Sequence, residues 1–255
     1  MNPQTLLITG ASSGLGAAIA RHAAACGHHL HLVARRRDAL AQTTATCDRA
    51  ASITLHPLDL ADADAVAQWL PTLPPPDILI NNAGSGLFKP ALETTDGETA
   101  AMLRLNTLAP IQLIHALAPA MVARGHGHII NIISQAGKIA TPKTAAYAAS
   151  KHALLGYSNA LRLELAGSGV LVTSVNPGPM LTAFFDHADP DGAYRQALGR
   201  FWLTDADALA ATICAAFNRR VRDINRPRLM ETAARLYPLA PHLGDWLTRR
   251  FFSRK

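Results

Sequence analysis

Apolar positions along the chain follow two alternating patterns. Short, mostly apolar runs such as LLIT, HLVA and ILIN are separated by longer segments in which Ala and Leu recur every three or four positions. The first pattern is typical of buried strands and the second of amphipathic helices. The runs predict strands over 4–9, 29–34, 52–57, 77–81, 127–134 and 169–175, and the segments predict helices over 14–26, 36–48, 62–70, 98–123, 144–166 and 205–218.

This alternation predicts an α/β fold, a doubly wound parallel sheet with helices on both faces and right-handed crossovers. Ligands in such a sheet bind beyond the carboxyl ends of the strands. One crevice should therefore collect the glycines and polar residues that fall at or just past predicted strand ends, which are Gly10, Ser13, Arg35, Asp59, Asn82, Ser134 and Pro177.

Length and composition set the scale of the fold. With 255 residues and 49% hydrophobic content, the chain can bury one sizeable core, so we expect a single domain over 1–218 and an extension over 219–255. Only three residues precede the first predicted strand, which leaves no room for a signal peptide, and no apolar run approaches the roughly 18 residues that span a bilayer. The odd number and wide spacing of Cys26, Cys47 and Cys214 favour a reducing compartment. We therefore expect a cytoplasmic protein.

The first predicted strand leads into a glycine-rich turn, Gly10-x-x-x-Gly14-x-Gly16, and then into an alanine-rich helix. Glycines let a backbone approach a pyrophosphate, and the helix that follows presents unpaired N–H groups to it. The spacing is not the Gly-x-Gly-x-x-Gly of the commonest dinucleotide fingerprint, and a plain strand-to-helix turn is the alternative interpretation. The turn indicates a nucleotide site in outline.

Tyr147 and Lys151 lie four residues apart in a segment rich in Ala and Leu, and Ser134 ends the apolar run before it. On a helix, positions i and i+4 share one face. A phenol titrates near pH ~10, and an adjacent cation lowers that value, as an acid/base group at neutral pH requires. Taken alone, the pair could be a chance arrangement on a solvent-facing helix.

Several motifs together resemble the short-chain dehydrogenase/reductase family, in its single-domain branch. The resemblance covers roughly residues 4–218 and rests on the order and spacing of Thr9-Gly10-Ala11-Ser12-Ser13-Gly14-Leu15-Gly16, Asn81-Asn82-Ala83-Gly84, Asn106, Ser134, Tyr147-x-x-x-Lys151 and Pro177-Gly178. Each motif is modest, but in register they are specific. The resemblance implies a Rossmann fold and hydride transfer between a nicotinamide cofactor and a carbonyl or secondary alcohol.

The resemblance also implies residue roles. Tyr147 would be the acid/base, Lys151 would lower its pKa and hold the nicotinamide ribose, and Ser134 would orient and polarise the carbonyl. Asn106 would hold a water that relays protons to Lys151, or would be a polar residue at a helix kink. Further implied cofactor contacts are Gly10, Ser12, Ser13, Gly14, Leu15, Gly16, Arg35, Asp59, Asn82, Ala83, Gly84, Pro177, Gly178 and Thr182. For Asp59, a place near the cap of the next helix is the alternative, with Asp62 as another candidate.

The end of the second predicted strand indicates the cofactor. NAD-preferring sites of this fold usually carry Asp or Glu there, whereas this chain has Ala34 followed by three arginines. A guanidinium binds phosphate bidentately, and Ser12 is placed to assist, as the resemblance also implies. We expect NADP(H) to be preferred, with NAD(H) possible and Arg35 facing the cofactor. The alternative is that the arginines only begin a solvated helix.

Two other features concern ligands. The histidines at His28-His29-x-His31 and His126-x-His128 have alternate spacing but no acidic or cysteine partners nearby, so no metal site is predicted. The segment from Met180 to Trp202 has no clean periodicity and is predicted to be a substrate lid. Its aromatic residues, which favour an apolar substrate or simply pack the loop, are Phe184, Phe185, Tyr194, Phe201 and Trp202.

The extension carries the positive charge. Residues 219–255 hold ten Lys/Arg and three acids, a net of +7, against +6 for the whole chain. Apolar positions recur at helical spacing, and Pro238 and Pro241 should divide them into two short helices. Nothing resembles the Val-Asp-Gly-Gly turn and strand with which many family members close. The extension could cover the substrate pocket or a subunit interface, contact a membrane surface through 226–255, or dock an anionic partner.

Together these features predict a NADPH-dependent carbonyl reductase or alcohol dehydrogenase acting on a small, apolar substrate. Alternatives are a 3-oxoacyl or lipid-like keto reductase and a non-catalytic NADP-binding scaffold. The resemblance implies a homodimer or homotetramer through the helices at 98–123 and 144–166, whose Ala-rich faces suit close packing. No nucleic acid partner is expected.

Overall fold

A computed structural model of the chain describes residues 2–189, Gly192 and 202–252. These residues contain one parallel sheet with the strand order β3-β2-β1-β4-β5-β6-β7. The strands are β1 (Thr5–Thr9), β2 (His29–Ala34), β3 (Ser52–Pro57), β4 (Ile78–Asn81), β5 (Gly127–Ile132), β6 (Val170–Pro177) and β7 (Asp223–Arg226). The predicted doubly wound parallel sheet is confirmed. The strand order reverses between β1 and β4, which is where such sheets bind ligands.

Helices connect the strands and cover both faces of the sheet. They are α1 (Gly14–Ala25), α2 (Arg37–Thr44), α3 (Ala63–Trp69), α4 (Asp96–Leu103), α5 (Ala109–Ala123), α6 (Ala145–Glu164), α7 (Ala183–Ala188), α8 (Ala206–Ala215), α9 (Arg228–Leu236) and α10 (Pro241–Phe252). Tyr194 and Phe201 of the predicted lid lie outside the described residues.

Buried side chains form two apolar clusters, one on each face of the sheet. Leu6 and Ile8 belong to one cluster, whereas Leu7 between them belongs to the other. Alternate residues of a strand point to opposite faces, so β1 contributes to both. One cluster includes residues of α1 and α8, and the other includes residues of α5. The central strands are therefore buried on both sides, and functional residues must lie at their ends.

The predicted helix over 98–123 begins earlier and is not uniform. Thr95 and Glu98 form a reciprocal capping box, so α4 starts at Asp96. A π-helical segment, Arg104–Leu108, joins α4 to α5. By length and composition the whole helix, residues 96–123, could cross a membrane, whereas the sequence analysis expected no apolar run long enough to do so. Half of the most apolar 18-residue window of this helix is buried inside the fold. Buried core helices of soluble proteins pass the same test.

A seventh strand was missed by the sequence analysis. Residues 223–226 pair with β6 in parallel, with Val175 opposite Ile224, so the sheet continues past the predicted boundary at residue 218. The two predicted helices of the extension are present as α9 and α10, and the turn Tyr237–Leu239 separates them near Pro238 and Pro241.

Candidate active site

The glycine-rich turn between β1 and α1 is closely packed. Gly10 has φ +66°, and a Cβ on it would lie 2.8 Å from Ala83 Cα. A Cβ on Gly16 would lie only 2.2 Å from the Gly10 carbonyl oxygen. Gly16 is therefore required for packing beneath the turn and does not line the crevice, and its expected contact with the cofactor stays a prediction.

Asn82 and Thr9 hold this turn in place. The Asn82 amide nitrogen donates to the carbonyl oxygens of Thr9 (2.9 Å) and Gly10 (3.2 Å). The Thr9 hydroxyl accepts from the backbone N–H groups of Asn82 and Ala83, both at 2.9 Å. Asn82, which the resemblance implied as a cofactor contact, therefore braces the turn through its side chain. The role of Thr9 was missed, and its place at the end of β1 was the only signal in the sequence.

The N-terminus of α1 faces the crevice without a side-chain cap. Ser13 occupies the N-cap position in extended conformation and makes no capping hydrogen bond, and the first turn contains no acidic residue. The N–H groups of a first helical turn have no partner within the helix, so they can donate hydrogen bonds to a bound anion. Gly14, at φ +54°, packs against Thr182, which brings the segment after β6 over this turn. These features fit a bound pyrophosphate.

The ends of β2 and β3 form the side of the crevice next to the glycine-rich turn. Arg35 and Arg36 both line it, whereas Arg37 does not. Asp59 also lines the crevice, and its carboxylate accepts from the Ala61 N–H at 2.9 Å. Asp62, not Asp59, caps α3.

Ser134, Tyr147 and Lys151 line the same crevice. The Ser134 hydroxyl accepts from the Ala136 N–H at 3.0 Å, at the start of a short turn over 135–137. A Cβ on Gly137 would lie 2.9 Å from the Lys151 carbonyl oxygen, so glycine lets this turn pack directly on α6. This contact places the loop after β5 beside the middle of α6.

Lys151 is 4% exposed, and its ammonium donates to the Ile132 carbonyl oxygen at 3.0 Å. Burial lowers the pKa of the Lys151 ammonium to about 8. Tyr147 is 8% exposed, and its ring lies 5.8 Å from the ring centroids of both Phe88 and Phe184. The predicted pair therefore faces a largely dry, aromatic site and not solvent, contrary to the chance interpretation.

Asn106 is fully buried in the π-helical segment, below the crevice and not in its wall. Its side-chain amide donates to the Ser85 carbonyl oxygen at 2.8 Å and to Ser150 Oγ at 2.9 Å, and its oxygen accepts from the Ser85 N–H at 2.8 Å. Ser150 in turn donates to the Tyr147 carbonyl oxygen at 2.7 Å. The Asn106 side chain thus ties α6 to the loop after β4, and its expected role in holding a relay water stays a prediction.

The other end of the crevice is apolar. The crevice has a volume of about 460 Å³ and includes every predicted site residue except Gly16 and Asn106. Apolar residues of α7, of α9 and of the loops after β4, β5 and β6 line the crevice: Phe88, Ile139, Met180, Phe184, Phe185 and Met230. A second, shallower groove between α3 and α5 contains none of the motif residues.

The extension reaches the crevice through α9. A Cβ on Gly178 would lie 2.8 Å from Pro227 Cδ and 3.0 Å from the Met230 sulfur, so the segment after β6 packs directly on the extension. Lys138 donates to Glu231 at 2.5 Å, with side chains only 16% and 12% exposed. Burial alone would raise the pKa of the Glu231 carboxyl, but the hydrogen bonds from Lys138 and Arg235 outweigh burial and hold it below its usual value. The loop after Ser134 and α9 are therefore tied together.

Among the described residues, no group of three or more His, Cys, Asp or Glu side chains could hold a metal ion. All five histidines considered in the sequence have structural partners among the described residues. His31 Nδ1 lies 2.9 Å from His56 Nε2, and His128 Nε2 lies 2.8 Å from the Thr173 hydroxyl. Burial lowers the pKa of His128 to about 4, so this side chain is neutral at physiological pH.

Comparison with known proteins finds similar sequences and similar solved structures. The family model described as short chain dehydrogenase matches residues 4–192. A relative from Anopheles gambiae, named Dehydrogenase/reductase SDR family protein 7-like, is 35% identical over 263 residues, covering 97% of this chain and 79% of that protein. A solved short-chain dehydrogenase from Sphingobium yanoikuyae, in complex with NADPH, has 30% identity and a TM-score of 0.81 over 96% of this chain and 95% of that one.

A further solved structure, 4-hydroxyisoleucine dehydrogenase complexed with NADH, has a TM-score of 0.74 and covers 87% of this chain and 97% of that one. At 24% identity it shows likeness of fold alone.

Proposed function

The chain belongs to the short-chain dehydrogenase/reductase family, and we propose that this oxidoreductase is a NADPH-dependent reductase of an apolar carbonyl compound, able to oxidise the corresponding alcohol in reverse. The observation that carries the proposal is that Tyr147, Lys151 and Ser134 line one crevice with an uncapped helix N-terminus. A proton-handling end and an anion-binding end thus share one cavity, as hydride transfer from a dinucleotide requires.

The residues present fit a nicotinamide dinucleotide. The turn at Gly10 and Gly14 and the free N–H groups of α1 would hold the pyrophosphate, and Pro177 and Gly178 would line the nicotinamide end. Thr182, packed on Gly14, would close over the phosphate side. When bound, the nicotinamide supplies or accepts the hydride.

The protein's own groups handle the proton. In the reductive direction, Tyr147 would give its hydroxyl proton to the carbonyl oxygen, and Ser134 would donate a hydrogen bond to the same oxygen. Lys151, mostly protonated at neutral pH because its pKa is about 8, would favour the phenolate that remains. Asn106 acts indirectly on the site. Its side chain fixes the backbone at Ser85 and, through Ser150, fixes the turn of α6 that contains Tyr147.

We assign the preference for NADPH to the side chains that follow β2. Arg35 and Arg36 line the crevice beyond Ala34, at the strand position where an acidic residue would favour NADH. The known structures of similar fold contain NADPH in one case and NADH in another, so the preference has to be tested on this chain.

Arg35→Asp tests this assignment. A carboxylate at this position repels a 2′-phosphate and accepts the ribose hydroxyls, so the ratio of kcat/KM for NADPH to that for NADH should fall by at least tenfold. Arg37→Asp is the matched control, because Arg37 is exposed but does not line the crevice. The assignment is wrong if both variants keep the wild-type ratio.

The substrate proposed is apolar or aromatic, because the end of the crevice around Tyr147 is formed by Phe88, Phe184, Phe185, Ile139 and Met230. A 3-oxoacyl or lipid-like keto substrate is the second candidate, and it is favoured by the methionine that the extension adds to this wall. A panel of aldehydes, ketones and acyl thioesters, monitored by NADPH consumption, would separate the two. Turnover confined to small polar carbonyls would contradict both.

We further propose a homodimer or homotetramer formed through α4, α5 and α6. Leu108, in the π-helical segment that joins α4 to α5, and Leu163, on α6, are large apolar residues that are 51% and 75% exposed in the monomer. Light scattering on the purified chain measures this directly, and a monomeric mass at micromolar concentration would exclude it.

A further inference from the structure

The terminal helix α10 leaves one of its faces uncovered. Leu243, Trp246 and Leu247 recur at steps of three and one, so they share a face, and they are 56%, 57% and 39% exposed. Leu239, in the turn before the helix, is 79% exposed. In α9, Leu229 and Leu236 are 60% and 58% exposed. The extension therefore carries a large share of the exposed apolar side chains among the described residues.

The orientation of α10 is fixed from its other side. The main packing partner of α10 within the described part of the chain is the turn Tyr237–Leu239. A Cβ on Gly244 would lie 2.4 Å from the Tyr237 ring, so glycine is needed for this contact, and the Tyr237 hydroxyl donates to Asp245 at 2.5 Å. Gly244 and Asp245 face the turn, which directs Leu243, Trp246 and Leu247 away from the protein.

Positive charge borders this apolar face. Arg249 and Arg250 are exposed, and the Arg250 guanidinium lies 5.8 Å from the centre of the Trp246 ring. Asp245, the acid of α10, already accepts from Tyr237. In the sequence the last seven residues, RRFFSRK, carry four basic side chains and no acid. Leucine and tryptophan on one side with arginine beside them match the boundary between lipid headgroups and acyl chains.

We propose that α10 docks this protein on an anionic lipid bilayer, with Leu243, Trp246 and Leu247 inserted and the arginines on the headgroups. The surface fits this partner because it combines uncovered apolar side chains with unopposed positive charge, whereas the first 218 residues of the chain carry a net charge of about −1. The proposal is independent of the hydride-transfer chemistry. Met230 on α9 lines the crevice, whereas its neighbour Leu229 is 60% exposed.

Vesicle sedimentation of the full chain tests this proposal. At low salt, binding to vesicles of phosphatidylglycerol and phosphatidylcholine in equal parts should exceed binding to phosphatidylcholine alone by at least tenfold, and 0.5 M salt should weaken it. The triple variant Leu243→Gln/Trp246→Gln/Leu247→Gln and the double variant Arg249→Gln/Arg250→Gln should each lose at least tenfold in vesicle affinity.

The matched control is Leu92→Gln, which removes a fully exposed apolar side chain that lies outside both the extension and the helices α4, α5 and α6. It should bind vesicles like the wild type. Circular dichroism and thermal unfolding check that each variant is folded, and deletion of residues 241–255 repeats the test if a substituted helix fails to fold.

Three results would overturn the proposal: no binding of the intact protein to anionic vesicles at low salt, equal losses in the control variant, or vesicle binding unaffected by the deletion. If the triple variant changes the mass of the assembly without changing vesicle binding, α10 covers a second copy of the chain. If it changes only the KM for a soluble carbonyl substrate, α10 closes over the crevice.

Discussion

Lys151, which we propose to serve both cofactor binding and proton transfer, is held in a buried position at a cost in stability. It is nearly excluded from water, with the Ile132 carbonyl oxygen as its partner, and burial lowers its pKa from 10.5 to about 8. A lowered lysine pKa means that the fold disfavours the ammonium, so its burial costs stability below pH 8 and this cost disappears as pH rises from about 8 towards 10. The group is kept at this position despite its cost, which is typical of a functional site.

This pKa predicts the pH dependence of the reaction. The kcat/KM for NADPH, which reports the free enzyme, should fall as pH rises through about 8, because deprotonation removes the cation next to Tyr147. In Lys151→Arg, the guanidinium remains protonated throughout, so the alkaline limb should move upward even if the overall rate is lower. A limb that stays at the same pH in Lys151→Arg would assign it to another group.

Gly16 predicts a packing effect on the nucleotide end. In Gly16→Ala the new Cβ would overlap the Gly10 carbonyl oxygen, so the turn must move, at a cost of about 1–3 kcal/mol of folding free energy and with loss of NADPH affinity. Gly156→Ala is the matched control. A Cβ there, in the middle of α6, meets nothing within 4 Å, and helix propensity should stabilise the protein by about 0.5–1 kcal/mol.

Chemical denaturation and NADPH titration of both variants measure these effects. Equal stabilities of the two alanine variants would refute this account of the turn.

Residue identities predicted most of this site, but not how each residue acts. Tyr147, Lys151 and Ser134 could be selected because their chemistry and spacing are distinctive. The contributions of Thr9 and Ser150 were missed, since each acts through hydrogen bonds to segments far away in the sequence. Asn106 was selected correctly as a polar residue of interest, yet its side chain holds Ser85 and Ser150, which only a three-dimensional structure can show.

At the scale of elements, the strongly apolar strands and Ala-rich helices were predicted well because burial on both faces leaves a clear pattern. The strand β7, with the sequence DINR, was missed because only Ile224 of its four residues is buried, and main-chain pairing with β6 stabilises it. The π-helical segment inside 98–123 was equally hidden, since an extra residue per turn changes the hydrogen bonds and not the apolar pattern.

The ion pair between the loop after Ser134 and α9 predicts a separation of substrate and cofactor effects. In Glu231→Gln, the partly buried Lys138 loses its counter-charge and α9 loosens, so the KM for the carbonyl substrate should rise several-fold while the Kd for NADPH stays unchanged. The folding free energy should fall by about 1–3 kcal/mol.

Lys138→Met and the double variant complete a thermodynamic cycle for this pair, and a coupling energy near zero would show that the two residues act separately. Because pairing holds the pKa of Glu231 below its usual value of 4.5, this contribution should be present above that pH and should be lost as pH falls through the lowered pKa.

At the scale of the whole molecule, one crevice is built from segments that are distant in the sequence. The turn after β1 and the ends of β2 and β3 form the side that we propose to bind the cofactor phosphates, whereas α6, the loop after β5 and α9 contribute to the other side. The parallel sheet achieves this because all its carboxyl ends meet at one edge. The loops and the extension decide which carbonyl compound fits, and their packing has no short sequence signature. The reaction class was therefore predictable from the sequence, but the substrate was not.

The most direct test of hydride transfer at this crevice compares Tyr147→Phe with Tyr157→Phe, which changes a second tyrosine of the same helix outside the crevice wall. For each variant, NADPH binding is titrated by fluorescence and NADPH oxidation is followed with the best carbonyl substrate of the panel. The account predicts that Tyr147→Phe binds NADPH within about threefold of the wild type but loses about 10²–10⁴-fold in kcat, whereas Tyr157→Phe keeps both. Wild-type turnover in Tyr147→Phe would contradict it.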